Sequence, residues 1–141
     1  LKDLNTDILM PKKTKYRKDH KRRRGGVATR LVDVNFGSYG LKAMTAHWIN
    51  SRQIEAARRV MTRYIKKTGQ LWIRIFPDKP VTAHGGEMPM GKGKGAVDHY
   101  VCVVKPGTVM FEIEGIDEKT AREAMTLAGH KLPVKCKVLS K

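Results

Sequence analysis

Apolar residues return at helical spacing in two stretches of this chain. In the first, Ile54, Ala57, Met61, Tyr64 and Ile65 form one stripe. Asn50 ahead of it is a good N-cap, and Gln53 three residues later completes an Asn variant of the capping box. Lys66 and Lys67 suit the negative end of the helix dipole, and Gly69 is expected to stop the helix. The second helix runs from Asp117 as N-cap to His130, with Ala121, Ala124, Met125 and Ala128 inward and Pro133 barring continuation. The other apolar runs are short and rich in β-branched and aromatic residues. Strands are expected over Leu31–Phe36 and Leu41–Ala46, parted by the turn Gly37-Ser38-Tyr39-Gly40, and over Leu71–Phe76, which ends at Pro77-Asp78-Lys79-Pro80. Val97–Lys105 and Val109–Glu114 follow, joined by a tight turn at Pro106-Gly107-Thr108, with Val134–Leu139 as a last short strand. Two helices packed on mostly antiparallel strands predict a single α+β domain without internal repeats.

The pattern fails between Met10 and Gly26, where almost nothing can be buried. Lys12, Lys13, Lys15, Arg17, Lys18, Lys21, Arg22, Arg23 and Arg24 stand there with Tyr16 and His20 interleaved and Asp19 as the one acid. Residues 1–30 therefore read as an extended basic arm closed by a Gly25-Gly26 hinge, and residues 31–141 as the α+β body. Across the chain 29 Lys and Arg face 13 Asp and Glu, a net charge of +16. Residues 1–30 hold eleven basic and three acidic residues, so half of that surplus sits in the arm. A free globular protein so charged repels itself, which points to a polyanionic partner. Nucleic acid fits better than membrane, because no apolar run approaches the roughly 20 residues needed to span a bilayer. A plain solvated charge run is the bland alternative. The interleaved Tyr16 and His20 favour RNA, whose phosphates take the cations and whose unstacked bases take the rings. Arg52, Arg59, Arg63 and Lys66 fall on the helix face away from the apolar stripe and form a second cationic surface, or an ordinary solvent face.

Candidate chemistry changes the picture little. The loop at 83–95 contains Gly86-x-x-x-x-Gly91-Lys92, most of a phosphate-loop pattern, but Gly93 stands where a hydroxyl is needed. Pro89 interrupts the run, and a strand rather than a helix follows. Nucleotide hydrolysis is therefore not expected. In Met90-Gly91-Lys92-Gly93-Lys94-Gly95, alternating glycine lets backbone approach a partner and tolerates positive φ, while alternating lysine supplies point charges for phosphates. A flexible surface loop with incidental lysines is the plainer reading. Trp48 and Trp72 are candidates for base stacking, although Trp72 inside a strand suits the core better. Asp98 and His99, adjacent on a strand, should point to opposite faces and form no dyad. Glu112 and Glu114 share a strand face and read as a solvated edge or as partners for basic residues. Cys102 and Cys136 read as reduced, partly buried thiols, and the five His residues show no metal-ligand spacing, so neither metal nor cofactor is called for. The first ten residues, with Asp3 and Asp7, lack the apolar core of a secretory signal.

Several segments together resemble a known family. Met10-Pro11-Lys12-Lys13-Thr14-Lys15-Tyr16-Arg17-Lys18, Phe36-Gly37-Ser38-Tyr39-Gly40-Leu41 and Ser51-Arg52-Gln53-Ile54-Glu55-Ala56-Ala57-Arg58 look like the protein-sixteen family of the bacterial large ribosomal subunit. Trp72 through Pro80, Met90 through Gly95 and Lys131-Leu132-Pro133-Val134-Lys135 continue the match, which spans about Leu9 to Val138. The resemblance implies an α/β-hammerhead-like fold and a structural, non-enzymatic role in translation. Its implied partners are large-subunit ribosomal RNA, tRNA near the aminoacyl-tRNA site and neighbouring ribosomal proteins, with late entry into subunit assembly and no homo-oligomer. Carried over, Lys12 to Arg24 thread into RNA, Arg52, Arg59 and Arg63 brace it from the helix, and Met90 to Gly95 form the tRNA-proximal loop. The chain departs from the family at Pro89, where arginine is usual, so any contact of that arginine is in doubt here. Residues 1–7 precede the usual family start, which leaves a mitochondrial ribosome as the alternative to a bacterial one. A free nucleic-acid-binding regulator is the rival function.

Overall fold

The computed structural model describes residues 9–22, 25–65, 67–87 and 89–141. In chain order the elements are β1 (Tyr39–Ala43), β2 (His47–Asn50), α1 (Ser51–Tyr64), β3 (Gln70–Ile73), β4 (Lys79–Ala83), β5 (Ala96–Val104), β6 (Val109–Glu114), α2 (Glu118–Gly129) and β7 (Cys136–Ser140). The strands form two antiparallel sheets, ordered β3-β6-β1-β7 and β2-β5-β4. The fold is α+β, with two helices on antiparallel sheets.

Both helices begin where their caps predict. The Asn50 side chain accepts from the Gln53 N–H at 2.9 Å and the Gln53 side chain accepts from the Asn50 N–H at 3.1 Å. Asp117 caps α2, its carboxylate accepting from the Thr120 N–H. Ile54, Ala57 and Met61 of α1 and Ala121, Ala124, Met125 and Ala128 of α2 are fully buried. The helices pack on each other and α2 packs on β1 and β7. Leu41, Phe111 and Ile113 complete this core from the larger sheet, and Ile49 and Val104 extend it into the smaller one. The end of α1 differs from expectation. The helix closes at Tyr64, with Ile65 already extended, and Gly69 is not its stop. Gly69 serves close packing instead, because a Cβ there would lie 2.4 Å from Ile65 Cγ2.

Residues 31–36 form no strand, contrary to their β-like composition. They lie over the second face of the larger sheet, where Val34 is buried while Leu31 and Phe36 are exposed. Val34 lies over Gly40, where a Cβ would come 2.7 Å from Val34 Cγ2. The cross-strand row Trp72, Glu112 and Gly40 marks this face. Glu112 is fully buried there, on an inner strand, and is not part of a solvated edge. Its carboxylate accepts from the N–H groups of Asn35 (2.5 Å) and Phe36 (3.3 Å), and Arg74 Nε stands 3.6 Å away. Arg74 also donates from Nη1 to the Asp33 carbonyl, so this ion pair ties Asp33, Asn35 and Phe36 to β6. Glu114, by contrast, is exposed.

The turn at Pro106–Thr108 does not close a hairpin. It carries the chain from β5 in one sheet to β6 in the other, and the Gly107 N–H and Thr108 carbonyl bracket Ala43 at 2.8 Å each.

Removing one member of a buried ion pair strands its partner's charge. Glu112→Ala should therefore lower unfolding stability by about 3–5 kcal/mol in urea titration. A loss near that of an exposed carboxylate would show that Arg74 and the 33–36 backbone do not depend on it.

Candidate nucleic-acid interface

The glycine–lysine segment is the tip of the β4–β5 hairpin, whose strands pair from Lys79↔Val101 to Ala83↔Ala96. Strand β4 takes in Ala83, so the loop proper is 84–95. Gly91, Lys92 and Gly93 all have positive φ, at 120°, 62° and 101°. No atom lies within 4 Å of a Cβ built at Gly91 or Gly93, so these glycines answer to backbone conformation and not to internal crowding. Gly95 is the reverse case: a Cβ there would meet the Ala83 carbonyl oxygen at 2.5 Å. Met90 is 92% exposed, which removes it from any core.

Residues 9–22 contain neither helix nor strand and run beside this hairpin. The Lys18 ammonium donates to the Lys94 carbonyl at 2.9 Å, and the Lys94 ammonium donates back to the Asp19 carbonyl. Lys79 of β4 donates to the Lys21 carbonyl and places its ammonium 4.9 Å from the centre of the Trp48 ring. The structure thus joins arm and loop, two regions far apart in sequence. Lys12, Lys13, Lys15, Arg17, His20, Lys21 and Arg22 are exposed and Lys18 is half-buried; Tyr16 is 71% exposed, with the Lys15 ammonium 5.5 Å from its ring centre. Asp19 spends a carboxylate oxygen on the neighbouring His20 N–H at 2.8 Å. Among the described residues, no arm cation forms an ion pair. Arg23, Arg24 and Lys66 lie outside the described residues.

On α1, Arg52, Arg59 and Arg63 are exposed, as their position opposite the buried stripe requires. They are not equivalent. Glu55 binds Arg58 bidentately, with Arg59 3.3 Å away, whereas no ion pair involves Arg52 or Arg63 among the described residues. The hydrogen bond from Arg58 is the chief reason the Glu55 carboxyl titrates below its ordinary value.

Two expectations about side chains need correction. Asp98 and His99 do meet, with His99 Nδ1 2.7 Å from Asp98 Oδ2. The ladder explains it: Val81 pairs with His99 and Thr82 with Val97, so Asp98 is the extra residue of a bulge, which breaks the two-residue alternation. Neither tryptophan lies in the core. Both are half-buried; Trp72 has Phe36 stacked on it at 6.2 Å between ring centres, with the Arg74 guanidinium 5.4 Å from the Phe36 ring. Phe36 itself is 57% exposed, an aromatic surface that a strand reading of 31–36 could not single out.

Burial pushes the thiols of both Cys102 and Cys136 up to about 11, the opposite of an activated nucleophile. Among the described residues, no three His, Cys, Asp or Glu side chains are grouped to hold a metal ion, and no helix is long and apolar enough to cross a membrane. What remains is a packed α+β body carrying a cationic strand of chain and a cationic hairpin tip side by side. Such a body, built to present charge outward, is that of a ribosomal protein. The chain matches the family of ribosomal protein L16p/L10e over residues 11–139 and belongs to it, which makes it a structural constituent of the large ribosomal subunit.

Two outcomes check this geometry. At pH 8 both thiols should alkylate about 100-fold more slowly than an unhindered cysteine, since thiolate is the reactive form; fast labelling in the native state would contradict their burial. Gly95→Ala, forced against Ala83, should lower the melting temperature more than Lys92→Ala, which changes only an exposed side chain.

Proposed function

We propose that the chain binds large-subunit ribosomal RNA through the arm and α1 and brings the hairpin tip toward tRNA near the aminoacyl-tRNA site. It acts as a scaffold and not as an enzyme, and joins the subunit late in assembly. Residues 1–30 are the arm of this reading and 31–141 the RNA-binding body. Lys12, Lys13, Lys15, Arg17, Lys18, Lys21, Arg22, Arg23 and Arg24 contact phosphates, with Tyr16 and His20 against bases and Arg52, Arg59 and Arg63 bracing from the helix. Met90 to Gly95 form the tip offered to tRNA, through the Lys92 and Lys94 ammonium groups and the open backbone of Gly91 and Gly93. The same reading applies to a bacterial and to a mitochondrial ribosome.

The observation that carries it is the arm's lack of carboxylate partners among the described residues. Where its ammonium groups are engaged, as at Lys18, they donate to neutral carbonyls that phosphate oxygens can displace, since charge-assisted bonds are the stronger kind. Binding to RNA should weaken steeply with salt. Neutralising four arm cations should lower the log–log slope by roughly 3 to 4. An unchanged slope would remove the arm from the interface. Replacing Lys92 and Lys94 together with Ala should leave the fold intact and slow translation by isolated ribosomes, and normal elongation would remove the tip from the tRNA path. Sedimentation in high magnesium separates the rival regulator, which would stay in the free pool while a subunit constituent follows the large subunit.

A further inference from the structure

Where the arm begins, it closes a groove of about 610 Å³ against the start of α1 and the first half of β5. Leu9 and Met10 form one side, Arg17 and Arg52 contribute guanidinium groups, and Val97 and Tyr100 come from β5. The volume falls in the range of pockets that hold one small organic molecule, roughly 300–1,000 Å³. It is far too small for an A-form duplex, which also keeps its bases stacked inside. The lining is two-sided in chemistry. Arginines supply the planar, multi-donor groups that match phosphate, whereas Tyr100, Leu9, Met10 and Val97 offer an aromatic ring and an apolar wall. The acid in the groove, Asp98, is turned onto His99 at 2.7 Å. The Asn50 and Gln53 backbone N–H groups are consumed by the capping box, and the two arginine side chains supply the anion's charged donors.

We infer that this groove takes a single unstacked nucleotide of the RNA strand that follows the arm, with its phosphate between Arg17 and Arg52 and its base on Tyr100. This rests on the RNA-binding reading above and adds a site to it. The arm cations hold backbone without regard to sequence or strandedness. The groove adds a preference for single-stranded RNA, because only an unpaired base can leave its stack and enter. The bulge at Asp98 is part of the construction. It breaks the alternation beside Tyr100 and brings the Asp98 and His99 side chains together at the groove.

The test uses the full chain with a fluorescent single-stranded RNA of twelve nucleotides and a duplex of equal total charge. Tyr100→Leu should weaken single-strand binding about tenfold, the scale of one base–aromatic stack, and leave duplex binding unchanged. Arg52→Gln, an exposed substitution that spares the fold, should weaken single-strand binding more than duplex binding. Equal losses on both RNAs, or none on either, would overturn the groove while leaving the arm's role standing. If the unaltered chain binds neither RNA at low salt, the RNA-binding reading fails, and the groove with it. Thermal melts of each variant separate loss of fold from loss of contact: a single-strand defect in a variant that melts like the parent supports the site. Free nucleoside monophosphate that displaces the oligonucleotide at equal concentration would show that the groove takes loose nucleotides, and would overturn its assignment to a strand of RNA.

Discussion

A carboxylate shut away from solvent decides where the cationic arm leaves the body. Glu112, on an inner strand of the larger sheet, is satisfied by Arg74 and by the backbone N–H groups of Asn35 and Phe36. A buried charge without such partners would cost several kcal/mol, so the segment carrying those amides is held to the sheet. The described residues just before it inherit that placement. Val34 seals Gly40, Ala28 donates to the Pro106 carbonyl at 2.9 Å, and the chain then passes beyond Gly26 to run along the hairpin. The ion pair is thus architectural, and its effect is felt at the surface where the arm and the glycine–lysine tip lie together.

The distribution of charge follows the opposite rule. Inside, the charged side chains are matched: Arg74 with Glu112. Outside, Glu55 pairs with Arg58 and Arg59, Glu118 with Arg122 and Asp98 with His99, whereas no described arm cation has a carboxylate partner. The net charge of +16 is therefore concentrated on surfaces without internal compensation. The bonds that set the arm against the hairpin, ammonium to neutral carbonyl, position it without neutralising it. The arrangement leaves these cations open to solvent and sets the arm and the hairpin tip side by side.

Local signals in the sequence carry the helices, whereas contacts between distant segments leave no local signal. The stripe from Ile54 to Met61, the caps at Asn50 and Asp117 and the four inward residues of α2 lie within a few residues of one another, so periodicity and capping chemistry suffice. The segment 31–36 has the apolar content of a strand, yet its backbone N–H groups at Asn35 and Phe36 go to the Glu112 side chain and not to a ladder, a partner 76 residues or more away in sequence. The division into two sheets is hidden because β5 and β6, neighbours in sequence, do not pair with each other: β5 pairs with β2 and β4, and β6 with β1 and β3. The Asp98–His99 contact depends on a bulge whose register is set by β4, and the burial of Glu112 depends on Arg74 arriving from another strand. The cationic run of the arm and the glycine–lysine tip are legible from charge and glycine spacing, but their adjacency is not, because Lys18, Lys79 and Lys94 meet across gaps of 58 residues or more.

On the proposed reading, an anchored body presents a cationic arm set against the hairpin, whose open backbone amides become covered when RNA binds. Hydrogen exchange resolved by residue, on the chain alone and on the chain bound to its ribosomal RNA, tests this most directly. The amides of Asn35 and Phe36 should be protected in both states, and those of residues 12–22 should gain protection only with RNA. Rapid exchange at Asn35 and Phe36 in the free chain, or an arm whose exchange is the same in both states, would contradict it.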